Sequence, residues 1–302
     1  MKQNKALGYA AITLVAIIYG VSYMARNIIT DTKAVDPTGI TCLMLLIMAI
    51  AFAIYNISTK KSIIIEKKDV FIVLISGFIG AFLFQTLTNL SVSHVGAGIP
   101  SLVFGLATAF ALIINAVVYK KKSNGLGWGA VALSMVGLCI VTGITPQTFA
   151  DTNLLGYGMS IGAALAWVVY CFLADKISAK YEKTVLLFWN AVVGAVCSAP
   201  FLLIYPIDGV AFQANLWPIL GALIVLGLFN ATLGKFLNVY AIKIIGVNMS
   251  NIFLNFMPIA TLLSVFLVYG TAPKVNEIIG GIIIIGSVLL LGVAENRKTS
   301  VK

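Results

Sequence analysis

The sequence predicts an all-α integral membrane protein: ten transmembrane helices arranged as two inverted five-helix repeats. Three observations lead there. Apolar residues make up 60% of the 302 residues and charged residues only 10%, against roughly 45–50% and about 25% in a soluble domain. Apolar runs long enough for a helix to cross a ~30 Å hydrocarbon core recur along the whole chain. Short segments match between the chain halves at a nearly constant offset of 148 to 150 residues. So apolar a chain leaves too little polar surface for a soluble fold, and the same composition excludes a disordered, collagenous or disulfide-framework protein.

In chain order the runs cover 7–27, 38–56, 70–91, 96–118, 127–143, 155–174, 185–205, 216–237, 245–268 and 277–294. The first follows Lys2 and Lys5 but is longer than the apolar core of a secretory signal. It ends in Tyr23-Met24-Ala25-Arg26-Asn27 with no small-residue cleavage site, so it reads as a retained span. The fifth is short, and the eighth carries Lys235 near its end. Short connections leave no place for an inserted soluble domain. Cys42, Cys139, Cys171 and Cys197 all fall inside apolar runs without metal-ligand spacing, and read as small buried hydrophobes.

Lysine and arginine set the orientation. With the N-terminus inside and strict alternation, 16 basic residues lie inside, including Lys60, Lys61, Lys67, Lys68, Lys120 to Lys122, Lys176, Lys180, Lys183 and Lys243. Only Arg26, Lys33 and Lys274 lie outside, and Lys235 is within a span. The expected location is therefore the cytoplasmic membrane, multi-pass, with both termini cytoplasmic. The formal charge of +10 is then a topology signal facing anionic lipid, not a nucleic-acid footprint.

The repeat pairs the first five spans with the last five, giving units 1–145 and 146–302. Gly8-Tyr9 matches Gly156-Tyr157, and Tyr19 matches Trp167, at offset 148. The segment Val95-Gly96-Ala97-Gly98 matches Ile245-Gly246-Val247-Asn248 at offset 150. Five spans per unit is an odd number, so the second unit runs in the opposite sense. Inverted repeats are typical of secondary transporters, with substrate held near the bilayer midplane where the halves meet.

Polar side chains inside spans face protein or a watery cavity. In the ninth span Asn248, Asn251, Asn255 and Pro258 share one helix face, and in the fourth span Gly98, Ser101, Gly105 and Thr108 occupy the same places 150 residues earlier. Such stripes either line a cavity or join helices by close packing. Tyr19, Tyr23 and Arg26 form a stripe in the first span, as do Trp167, Tyr170 and Ala174 in the sixth. Mid-span aromatics offer a stacking surface for an organic ligand, or ordinary packing. Arg26 lies near the outer end and is expected to snorkel to the interface as an anchor. Gln85 and Lys235 correspond at offset 150; Lys235 is either a cavity cation or a stem that snorkels to the cytosol. The substrate-cavity candidates are thus Tyr19, Tyr23, Gln85, Ser101, Gly105, Trp167, Tyr170, Lys235, Asn251, Asn255 and Pro258.

No Asp or Glu occupies the middle of a span, and the single histidine, His94, lies in a connection. A proton relay through a carboxylate or histidine is therefore not expected. Neither is a metal site, an ATP-driven P-loop, a cofactor or an enzymatic centre.

The stretch Ile17-Ile18-Tyr19-Gly20-Val21-Ser22-Tyr23, the matching Ala163-Ala164-Leu165-Ala166-Trp167, and Tyr240-Ala241-Ile242-Lys243-Ile244-Ile245-Gly246 followed by Asn248 and Pro258 resemble the EamA family of the drug/metabolite transporter superfamily over nearly the whole chain. That resemblance implies a ten-helix carrier with a central cavity, often an exporter of amino acids or other small metabolites. The chain departs from the family where Trp is common and it has Tyr19, and where Glu is common and it has Tyr119 and Tyr269. The expected function is secondary transport of a small polar metabolite, an amino acid or similar zwitterion or anion, by alternating access and in the direction of export. Multidrug export of organic cations and a non-transporting sensor or scaffold are the alternatives. The partners are substrate and lipid, and either a monomer or a homodimer fits.

Overall fold

The computed structural model describes residues 5–118, 120, 125–142 and 153–299. The expected repeat boundary at 145/146, Tyr119 and the C-terminal Lys302 lie outside the described residues, as does the side chain of Asn248. The described chain is all-helical, and its main helices coincide with the ten apolar runs. They are α1 (Lys5–Thr32), α2 (Pro37–Ser58), α3 (Lys67–Val95), α4 (Gly98–Val117), α5 (Gly125–Thr142), α6 (Leu154–Ser178), α7 (Lys183–Ile204), α8 (Leu216–Ile245), α9 in two pieces (Val247–Leu254 and Met257–Tyr269) and α10 (Val275–Thr299). Eight have the length and apolarity to cross a bilayer. In α5 and α10 the apolar stretches are shorter, Gly125–Gly137 and Val275–Ser287. These two helices pack on each other, with a 2.5 Å hydrogen bond between the Ser134 and Ser287 hydroxyls.

Local chemistry sets the helix ends. Asp36 caps α2 by accepting from the Thr38 amide at 2.9 Å, with Pro37 in the first turn where its missing N–H costs nothing. Asn153 caps α6 by accepting from the Gly156 amide. Both α3 and α8 stop at a glycine with positive φ, Gly96 at 73° and Gly246 at 84°, a backbone that a Cβ would strain.

Those two glycines, 150 residues apart, are not the only paired irregularity. Phe78–Leu83 in α3 and Val225–Gly234 in α8 are wound as π-helix. The next helix is interrupted in each case, α4 at Phe104-Gly105 and α9 at Asn255-Phe256. Pro258 falls in the first turn of the second piece of α9, so the break, not a kinked continuous helix, accommodates it.

Most of the core is one apolar cluster drawn from both chain halves, with Ile12, Ile29, Met44, Leu45, Trp167, Leu187 and Leu226 fully buried in it, and two small clusters lie apart from it, around Leu112 and around Leu102 and Ile284. Long apolar side chains such as Ile57, Phe71, Leu203 and Trp217 point outward, as expected where the surrounding solvent is lipid.

At the basic end a polar latch joins the α2–α3 connection to the α6–α7 connection. Lys180 pairs with Glu66 at 2.7 Å and Asp69 at 2.5 Å. The Tyr181 hydroxyl donates to Asp69 at 2.6 Å, and Lys61 pairs with Glu182 at 3.1 Å. The Trp189 indole donates to the Ile63 carbonyl at 2.8 Å. Lys180 and then Lys68 hold the Glu66 carboxyl below its usual range, and Asp69 and then Glu66 hold the Lys180 ammonium above its own.

The pH window follows from those directions. The Glu66 contribution is present above the ordinary glutamate value of about 4.3 and is lost as pH falls through the lower folded value. The Lys180 contribution is present below about 10.4 and is lost as pH rises through the higher folded value. Thermal unfolding followed from pH 3 to 7 should show an acid-side loss in the wild type that is shallower in Glu66→Gln. Equal slopes would mean that the latch does not contribute.

Candidate functional site

The middle of the molecule holds an aromatic ladder. Trp167 of α6 is fully buried, its ring 5.7 Å from Tyr19 of α1 in an edge-on contact. It also touches Phe84 of α3 at 4.9 Å, Phe104 of α4 at 5.8 Å and Tyr170, one turn along, at 5.6 Å. Tyr19 and Trp167 correspond at the sequence offset of 148, and here their rings meet. The indole N–H donates to Asn251 Oδ1 at 3.1 Å, tying the ladder to α9.

Beside the ladder, α4 and α9 meet at their breaks. Asn255 Nδ2 donates to Thr108 Oγ1 at 2.8 Å and to its own-helix Asn251 carbonyl at 2.8 Å. Gly105 is pressed against this pair: a Cβ there would sit 3.1 Å from Asn255 Oδ1 and 2.4 Å from Ile284. Ser101 is buried and donates to the Gly98 carbonyl of its own turn at 2.6 Å. The two stripes thus face one another, and in this conformation Asn251 and Asn255 are packed, 2% and 4% exposed. Asn251 Nδ2 and Asn255 Oδ1 remain buried without a hydrogen-bond partner.

Toward the end opposite the latch, the expectation for Arg26 is corrected. Its side chain does not snorkel; it is 2% exposed. One guanidinium nitrogen donates to Asn89 Oδ1 and another to Gln85 Oε1 at 2.6 Å. Gln85 and Asn89 stand one turn apart on α3, so their carbonyls form a fork facing α1. Asn89 in turn donates to Thr41 Oγ1 of α2 at 2.8 Å. The stem cannot both reach the interface and make these bonds, and buried polar groups favour the partner. A small cavity of about 10 Å³, room for about one water, lies alongside. Its walls include Arg26, Tyr19, Tyr23, Thr88, Phe104 and Asn230. Tyr19 Oη and Arg26 Nε have no partner. A wider recess of about 570 Å³ near the α1–α2 connection is lined by Lys33, Asp36 and His94.

Toward the basic end, Lys235 does not snorkel either. It is 1% exposed, donates to the Gly80 carbonyl at 2.6 Å and lies 4.9 Å over the Tyr170 ring. Gly80 sits in the π-wound stretch of α3. A Cβ there would come within 2.0 Å of Tyr170, so only glycine lets that ring and the ammonium approach the backbone.

Of the candidates, Tyr19 and Tyr23 line the enclosed cavity. Gln85 reaches it through Arg26, Trp167 and Tyr170 form the ladder, and Lys235 lies at the ladder's far end. Ser101, Gly105 and Pro258 are packing and helix-break positions. Asn89, Thr41, Asn190 and Asn238 were missed. Each is a polar residue inside an apolar run, which is itself the signal that singles it out. Among the described residues no group of three histidine, cysteine or acidic side chains is placed to hold a metal.

Gly80→Ala should destabilise the protein by about 1–3 kcal/mol through overpacking against Tyr170. A lowered thermal midpoint that recovers in part in Gly80→Ala/Tyr170→Leu is the expected result. An unchanged midpoint would mean that the ring moves aside freely.

The model of the EamA-like transporter family matches residues 6–143 and again 154–293. An uncharacterized transporter of Clostridium kluyveri is 24% identical over 304 residues, covering 97% of this chain and 95% of the relative. A probable terminal-alkyne amino-acid exporter of Streptantibioticus cattleyicolor is 23% identical, covering 99% of this chain and 96% of its own. One solved crystal structure shares the fold with a TM-score of 0.69 at 15% identity, covering 97% of this chain and 99% of that one.

Proposed function

The chain belongs to the EamA-like transporter family, and from that premise we propose that it carries a small metabolite bearing a carboxylate, an amino acid or similar zwitterion or anion, by alternating access. The observation that carries this reading is Arg26. A buried guanidinium held by two neutral amide carbonyls and the face of Tyr23 at 6.0 Å, beside a small aromatic-walled cavity, has no carboxylate partner among the described residues. Leaving such a charge buried costs several kcal/mol, and a substrate carboxylate would relieve that cost with charge-assisted hydrogen bonds. The aromatic faces of Tyr19 and Phe104 suit the apolar part of the same molecule. The amino-acid exporter among the relatives agrees with this class and with export.

Residues 1–145 and 146–302 are taken as the two inverted repeats that rock against each other. The paired glycine ends, π stretches and helix breaks support this, as do the two separate family matches. With Arg26 and Lys235 both buried in spans, the remaining 16-to-2 partition of basic residues supports a cytoplasmic-membrane location with both termini cytoplasmic. A cysteine introduced beside Lys302 should not react with an impermeant thiol reagent in intact cells; labelling there would reverse the topology.

Organic cations are disfavoured, because Arg26 and Lys235 repel them and cation–π contacts return only about 0.5–2 kcal/mol. The close packing of Asn251 and Asn255 favours the second reading, a non-transporting sensor or scaffold.

Counterflow in liposomes separates the readings. Saturable exchange of L-amino acids is expected, with KM raised at least tenfold in Arg26→Gln and less in Arg26→Lys. Saturable flux of quaternary amines without competition by amino acids would favour cation export. No flux of either class would favour the sensor.

A further inference from the structure

The Arg26 cluster has a counterpart. The offset of 148 carries Tyr19 onto Trp167 and Arg26 onto Ala174, and the offset of 150 carries Gln85 onto Lys235 and Thr88 onto Asn238. At the intermediate 149, Thr41 of α2 corresponds to Asn190 of α7. The helices keep this register where they touch: a Cβ on Gly194 would meet Leu45, its partner at the same 149, at 2.6 Å. Thr41 and Thr88, which flank the Arg26 cluster, therefore have Asn190 and Asn238 as counterparts near Lys235, with the cation moved from the first helix of the repeat to the third, while Asn89 has the apolar Val239 as its counterpart.

The second cluster is polar, buried and unfinished. Asn190 and Asn238 are fully buried, and neither the nitrogen nor the oxygen of either amide has a hydrogen-bond partner. The Tyr170 hydroxyl is buried and unpartnered as well. It approaches the Asn190 amide, and the Asn238 amide approaches the Cys171 thiol, without reaching hydrogen-bond geometry. Lys235 has one backbone carbonyl and one ring face for its charge. Each unmade hydrogen bond on a buried group costs about 1–3 kcal/mol, so a chain that retains two whole amides, a phenol and an ammonium together is built around a polar guest. All four can donate, and one is a cation, so the cluster can hold an anion, with the two amide oxygens left to accept from a water that enters with it.

We propose that Lys235, Asn190, Asn238 and Tyr170 form a second anion site, nearer the basic end, that takes one small monoanion: the carboxylate of the cargo or a free halide. Lys235 lies about two turns before Lys243, whereas Arg26 lies toward the opposite end, so the two sites serve opposite sides of the membrane. The role in transport rests on the reading above; occupancy by an anion does not.

The test uses the purified full chain in detergent. Thermal unfolding is followed while sodium chloride or sodium acetate is titrated at constant ionic strength against sodium sulfate. The expected result is a saturable rise in the midpoint that needs at least tenfold more anion in Lys235→Met, and likewise in Asn190→Leu and Asn238→Leu, but is unchanged in Lys274→Met. Saturation by acetate alone assigns the site to a cargo carboxylate; saturation by chloride assigns it to a free halide. If Lys235→Met does not fold, the two asparagine variants decide. No saturable anion effect in the wild type, or an undiminished one in the variants that fold, overturns the proposal. Because the assay needs no flux, a failure of the transport reading in liposomes leaves its outcome separate.

Discussion

Two cations held inside a hydrocarbon slab with no acid beside them set the terms for the rest of the molecule. Moving an ion out of water costs several kcal/mol even after relaxation, and among the described residues neither Arg26 nor Lys235 forms an ion pair with a carboxylate. Their hydrogen-bond acceptors come from a single helix. Gln85 and Asn89 offer side-chain carbonyls to Arg26, and Gly80 offers its backbone carbonyl to Lys235, all from α3. The helix can do both because it changes its winding between the two sets of acceptors. In regular α-helix the Gly80 carbonyl would be spoken for by an amide four residues on. In the π-wound stretch, and with no Cβ in the way of Tyr170, the ammonium reaches it.

Irregular backbone is tolerated at membrane depth only where protein or a cavity satisfies the freed groups. Here the π stretches of α3 and α8 turn Gly80, Ala81, Gly227, Asn230 and Gly234 into the protein, while Phe78, Phe229 and, at the break of α9, Phe256 point outward. Those stretches are where the helices are least constrained by their own hydrogen bonds. At the basic end, Lys61, Lys180 and Tyr181 fasten connections from the two chain halves together; at the other end the recess beside the α1–α2 connection stays open. Closure at the basic end, irregular winding in the middle and a wider opposite end are in keeping with the alternating-access reading proposed above.

The polar stripes show how one pattern serves two purposes. In α4 and α9 it brings helices together: Thr108, Gly105 and Asn255 interlock, as small residues and amides do between membrane helices. In α1 the stripe of Tyr19, Tyr23 and Arg26 faces the enclosed cavity instead. Spacing along a helix is the same in both cases, and only the neighbour differs.

That difference divides what the sequence determined by itself from what the tertiary structure decided. The all-α membrane class, the positions of the ten helices, their end glycines and the 150-residue offset were legible, because composition, apolar run length and self-similarity are properties of the chain in one dimension. Burial of Arg26 was not. Its distance from a run's end suggested a stem long enough to snorkel, and nothing in the sequence told that the Gln85–Asn89 fork would face it from α3. Lys235 was ambiguous for the same reason, its acceptor being a backbone carbonyl that only a change of winding exposes. Asn190 stands alone as an amide in its run, and Asn89 and Asn238 lie one helical turn from Gln85 and Lys235 without any sign of what faces them. They become a candidate site only when separate helices converge, since a hydrogen bond or an unsatisfied amide is a property of two surfaces in contact and never of one.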